Sequence, residues 1–182
     1  MSANKSLKFV FCVQGEGRGH MTQAIAMQKL LVKHGHRVEA VIVGKSDRRE
    51  IPNYFFEQIK AEVIPILSPN FVTDKDNKSI HVTKTIIHNF LKFATYKKSV
   101  VTIKNTIEKI KPDYVINFYE FLCGYYFGTC KSSAIHICIG HQYMLTHPKF
   151  VFPDNIGKRD KFWYMLNTTI TSLKAEKKLA LS

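Results

Sequence analysis

Seven residues near the start of the chain hold most of its chemistry: Gln14-Gly15-Glu16-Gly17-Arg18-Gly19-His20. A histidine titrates near neutral pH, which suits proton transfer. Glu16 is a competing base, and Arg18 can meet a phosphate. Gly15, Gly17 and Gly19 let backbone turn tightly and approach a ligand closely. A helix starting near Met21 would point its free N–H groups into the same space, which favours an anion or a polarised oxygen. A plain strand–helix turn needs one glycine, and this loop carries three together with three charged or titratable side chains.

The elements that position this loop follow from hydrophobic patterning. Leu7 to Val13 is a nearly continuous apolar run of strand length, and Met21 to His34 carries apolar residues at helical spacing, ended by Gly35. Strands follow at Arg37 to Val43, Glu62 to Leu67, Asp113 to Phe118 and Ala134 to Ile139. Helical stretches are predicted at Pro52 to Lys60, along a stripe from Ile86 to Ile110 that Pro112 ends, at Phe121 to Lys131, and at Lys158 to Lys178. Ser68 to Val82 is polar and irregular, a loop long enough to suggest function. Five apolar strands separated by helices imply an α/β fold with a parallel sheet covered on both faces. Ligands in such sheets sit beyond the carboxyl ends of the strands. Besides the glycine loop, that rule selects Asn117 to Glu120 and Gly140 to His147. Asn117 and Glu120 could bind hydroxyls of a substrate, with a buried helix cap as the other reading of Glu120. His141 and Gln142 fall at the cleft edge, whereas His34 and His36 flank a turn at the opposite end of the sheet.

Two nucleotide signatures are excluded. The position that would complete GxGxxG is His20, and no acidic residue closes the second strand, where Val43-Gly44-Lys45 stands. Gly44-Lys45-Ser46 ends like a P-loop, but the residue five before Gly44 is Glu39.

The strand followed by GEGRGHMTQAIAM and a helix resembles the N-terminal half of GT-B glycosyltransferases. The nearest group is family-1-like bacterial and archaeal proteins related to the lipid-linked muropeptide N-acetylglucosaminyltransferase. A long helix ending in Lys-Pro-Asp, the strand VINFYE and the segment GHQYM extend the resemblance over almost the whole chain. The resemblance implies a Rossmann-like domain spanning residues 1–182, with the donor-binding C-terminal domain absent from this chain. It implies an inverting transfer from a nucleotide-diphosphate sugar to an acceptor hydroxyl, on a sugar or a membrane lipid. It places His20 near the acceptor and the donor's sugar-phosphate as catalytic base; a capping or packing histidine is the other reading. A sugar-nucleotide epimerase of GT-B type and a non-catalytic membrane- or partner-docking module are the alternative functions.

Composition bounds the rest. The chain has 182 residues, 27 Lys plus Arg against 14 Asp plus Glu, and a net charge of +13. Charge of that size concentrates anions. Seven lysines and one glutamate lie between Lys84 and Lys111, and Lys158-Arg159-Asp160-Lys161-Phe162-Trp163-Tyr164 sets cations beside aromatics. That mixture suits an anionic membrane surface, and no nucleic-acid-binding module is present. Cys12, Cys123, Cys130 and Cys138 form no CxxC pair, so they are expected to be reduced and structural. No metal site and no cofactor are expected. Without a signal peptide or an apolar run long enough to span a bilayer, the expected location is cytoplasmic, with peripheral contact at the inner membrane face.

Overall fold

The computed structural model describes residues 5–47, 49–69 and 92–180. Six strands form one parallel sheet: β1 (Lys8–Gln14), β2 (Arg37–Lys45), β3 (Glu62–Leu67), β4 (Tyr114–Phe118), β5 (Ile135–Ile139) and β6 (Lys177–Leu179). Their order is β3-β2-β1-β4-β5-β6. The winding direction reverses between β1 and β4, which opens a crevice at the carboxyl ends of those two strands. The fold is the Rossmann-like α/β architecture that the alternating pattern predicts.

β1 is buried on both sides, so its residues alternate between two cores. Phe9, Phe11 and Val13 face one core with Met21, Ala24 and Ile25 of α1 (Arg18–Lys33) and Phe55 of α2 (Asn53–Gln58). Val10 and Cys12 face the other, with Ile103 and Ile107 of α3 (Phe93–Ile110) and Leu122, Cys123 and Tyr126 of α4 (Phe121–Thr129). Each fully buried aliphatic or aromatic side chain contributes about 1.5–3 kcal/mol, so this central strand anchors the loop that follows it. α1 ends through Gly35, whose φ of +80° continues the chain in the left-handed region, as predicted from sequence.

Two predicted boundaries need correction. The last helix, α5, covers Lys158–Thr171 and stops well short of Lys178. The chain then reaches Lys177–Leu179, which adds a sixth strand against β5. Three residues, all exposed, carry too little alternation to signal a strand. His141–Thr146, read from sequence as loop, forms a short 3₁₀ helix. The beginning of the Ile86 to Ile110 stripe and nearly all of the Ser68 to Val82 loop lie outside the described residues.

Candidate active site

The carboxyl ends of β1, β2, β4 and β5 bring together the glycine loop, Ser46, Tyr119–Glu120 and Gly140–Gln142. Val13 pairs with Phe118, Gln14 with Gly44, and Asn117 with Cys138.

His20 lies in the first turn of α1 and is 95% buried by its neighbours (relative exposure 5%). Its ring is near-parallel to that of Tyr119, 5.9 Å away with planes 16° apart, and to that of His141, 6.0 Å away with planes 3° apart. Nδ1 stands 3.3 Å from Gln23 Oε1, and Nε2 stands 3.1 Å from Gln142 Nε2. Burial pushes the imidazole down to about 4; the Gln23 hydrogen bond opposes the shift and His141 adds to it. His20 is therefore neutral at pH 7 and can accept a proton.

The three glycines divide into two kinds. A Cβ on Gly15 would stand 2.8 Å from Val43 Cγ1, and its N–H donates to Gly44 O at 2.7 Å, so this position locks the loop against β2. A Cβ on Gly17 or Gly19 would meet open space. Gly17 is the N-cap of α1 and offers no side-chain oxygen, and the first turn holds no acidic residue. The leading N–H groups of a sixteen-residue helix thus face an open surface with Arg18 exposed beside them.

Glu16 is turned to structural use. Its carboxylate accepts from the backbone N–H of Ser46 at 2.6 Å and stands 3.8 Å from Arg49 Nε, tying the glycine loop to the segment after β2.

Asn117 and Glu120 form a closed network beneath the crevice. Asn117 Oδ1 accepts from Glu120 N at 2.6 Å, while its Nδ2 donates to Glu120 O and Thr171 O at 3.1 and 2.9 Å. Glu120 is the N-cap of α4 and accepts from Cys123 N and Ser68 Oγ at 2.6 and 2.5 Å. Burial raises its carboxyl pKa, with the hydrogen bonds from Ser68 and backbone opposing the shift. Of the two sequence readings of Glu120, the structure places it as the buried helix cap.

Three contributors have no clear mark in the sequence. Tyr119 joins β4 to α4 with a φ of +60°, a conformation that costs a non-glycine residue of order 1–3 kcal/mol. Its hydroxyl stands 2.9 Å from Thr168 Oγ1 and accepts from Asn167 Nδ2 at 3.0 Å, so α5 holds the ring against His20. Tyr119 also lines a cleft with Gln14, Glu16, Ser68, Phe121 and Asn167. Asn167, which donates to Tyr119 and lines the same cleft, is the second, and Gln23, three residues after His20, is the third. Among the described residues, no cluster of three His, Cys, Asp or Glu side chains could hold a metal ion, and no helix is long and apolar enough to cross a membrane.

A family model described as glycosyl transferase family 1 matches residues 7–165. The chain belongs to this family. No curated protein matches it. Among solved structures, a glycosyltransferase of Arabidopsis thaliana, UGT89C1 complexed with UDP, is 12% identical with a TM-score of 0.55; the alignment covers 98% of this chain and 45% of that one. The glycotransferase of kitacinnamycin is 14% identical with a TM-score of 0.51, covering 98% and 46%. Acinetobacter baumannii MurG is 14% identical with a TM-score of 0.47, covering 74% and 35%. The chain thus spans less than half the length of these structures. At such identities the likeness is one of fold, and the two structures with TM-scores above 0.5 agree with the Rossmann-like α/β architecture expected from the sequence.

Proposed function

We propose that this chain is the acceptor-side half of an inverting glycosyltransferase, with His20 as the general base. The carrying observation is an imidazole set where the glycine loop meets α1, its Nε2 3.1 Å from the Gln142 amide, at the switch-point crevice of a glycosyl transferase family 1 chain. His20 Nε2 takes the proton from an acceptor hydroxyl as that oxygen attacks the anomeric carbon. The bond from that carbon to the nucleoside diphosphate breaks, and the electron pair leaves with the phosphate oxygen. The open N-terminus of α1 and Arg18 face the departing charge. His141 and Gln142 then border the acceptor, and Gly17 and Gly19 leave room for it. Glu16 is the weaker candidate base because its carboxylate is committed to Ser46 N.

A UDP complex in a structural neighbour supports a nucleotide-diphosphate donor here. In this reading most donor contacts come from a second domain outside these 182 residues, which fits the chain's span of its relatives. The chain alone should bind uridine or guanosine diphosphate sugars more weakly than about 1 mM, measured by calorimetric titration, because it supplies one wall of a two-walled cleft. Low-micromolar binding would assign the donor to this domain and remove the acceptor-side reading. With the assembled enzyme and a labelled nucleotide sugar, label in a new glycoside supports transfer, and an epimerised sugar nucleotide supports the epimerase alternative.

A docking role at an anionic membrane has its own observation. Val151 and Phe162 are 83% and 59% exposed, close in sequence to Lys149, Lys158, Arg159 and Lys161. That face would meet the surface that presents a lipid acceptor, at the inner side of the cytoplasmic membrane. Binding to anionic vesicles should exceed binding to neutral ones and weaken with salt. Equal, salt-independent binding removes the electrostatic part.

A further inference from the structure

Resting on the reading of His20 as the base, we propose that Gln23 is its positioning residue and Gln142 its displaceable cap. Gln23 Oε1, 3.3 Å from Nδ1, keeps the ring hydrogen there; Gln142 Nε2, 3.1 Å from Nε2, covers the lone pair until an acceptor hydroxyl replaces it. A neutral imidazole has one N–H donor and one acceptor nitrogen. A carbonyl oxygen on Nδ1 selects the tautomer with hydrogen at Nδ1, and Nε2 becomes the free base. An amide N–H on Nε2 completes the same pattern from the other side.

The two glutamines sit on different supports. Gln23 is one turn beyond His20 on α1, a helix packed along the sheet, so its spacing to the ring is fixed by backbone. Gln142 lies on the short 3₁₀ turn after Gly140. Its own Oε1 is buried without a hydrogen-bond partner. A buried carbonyl in that state gains by moving to a ligand hydroxyl, which makes this amide a suitable group to displace. The choice of amide at position 23 also matters electrostatically. A carboxylate there would stabilise the imidazolium and tie up the proton acceptor, whereas an amide orients the ring without charging it. The titratable groups against the ring are Tyr119 from the end of β4 and His141 from the 3₁₀ turn, and burial raises the Tyr119 hydroxyl.

The test reads the ring itself. In the chain labelled with ¹⁵N-histidine, long-range proton–nitrogen spectra report tautomer and protonation of each imidazole, with His20→Asn assigning the signal. Wild type should show the hydrogen on Nδ1. Gln23→Ala and the closer-sized Gln23→Met should both lose that preference and show the two N–H forms together. Gln23→Glu should raise the protonation midpoint by roughly one pH unit or more. Gln142→Met should keep the tautomer and shift the Nε2 signal towards that of a free lone pair. An unchanged His136 signal in each variant reports an intact fold. A wild-type hydrogen on Nε2, or a preference that survives in both Gln23→Ala and Gln23→Met, overturns the assignment. These spectra need no substrate, so an enzyme that transfers no sugar would refute the base reading while leaving the tautomer result to stand separately.

Discussion

His20 and His136 are both buried, and burial pushes each imidazole down to about 4. Their surroundings differ in kind. His136 lies within β5, stacked on Phe127 at 4.2 Å with planes 8° apart, and its Nδ1 stands 3.1 Å from Leu173 O. Its Nε2 stands 3.4 Å from Cys138 Sγ, so core groups surround both nitrogens. His20 lies in the first turn of α1, beyond the carboxyl end of β1, and its nitrogens meet two side-chain amides: Gln23 on its own helix and Gln142 on a short 3₁₀ turn. Depth of burial alone therefore does not mark a working histidine. A depressed pKa marks desolvation; the position at the crevice and the Gln142 amide on its nitrogen are what set the ring proposed as the base apart from the packed one.

The contrast is broken most forcefully by exchanging the two defects. In the assembled enzyme, His20→Ala should lower turnover by about 10²–10⁴-fold, the usual worth of a general base. His136→Ala should instead cost about 2–4 kcal/mol in denaturant unfolding, through lost ring packing and an orphaned carbonyl. Its folded fraction should turn over normally. The opposite pattern, with stability lost at position 20 and catalysis at 136, would invert the assignment.

Acid unfolding sharpens the likeness between the rings. Both pKa values are lower in the folded chain than in the unfolded one, so the unfolded chain binds more protons between about pH 6.5 and 4. The stabilisation is full above that window and is lost as pH falls through it, by roughly 3 kcal/mol per ring. Removing either histidine should flatten the pH dependence of chemical denaturation over that interval.

The glycines supply a smaller contrast of the same kind. Gly15→Ala should destabilise by about 1–3 kcal/mol, because the new methyl meets Val43 and the Gly44 carbonyl. Gly19→Ala faces open space and should raise thermal stability by roughly 0.5–1 kcal/mol through helix propensity, while weakening substrate binding. Thermal melts paired with KM measurements separate the two.

The glycine loop, the order of strands and helices and the two-faced core were legible because continuous apolar runs of strand length and stretches of helical spacing follow one another along this sequence. β6 was not, since three exposed residues at a sheet edge pair through backbone and carry no hydrophobic signal. At the site, His20 and Gln142 stood out by type and by position at strand ends, and the structure brings them within hydrogen-bonding distance. Glu16 and Asn117 fell at equally suggestive positions, yet their polar atoms are spent on backbone partners distant in sequence, Ser46 and Thr171. Such pairings depend on which strands lie side by side. The place of Tyr119 depends on a left-handed backbone that tyrosine does not advertise.

His20 is proposed as a neutral base whose proton affinity is lowered by burial. The pH dependence of kcat/KM for the assembled enzyme reports ionisation in the free enzyme, so it tests this most directly. The acid limb should be centred near 4, well below the ordinary histidine value of about 6.5, and should be missing from the residual rate of His20→Ala. A limb that persists unchanged in His20→Ala would assign the proton to another group, Glu16 first, and would contradict the account.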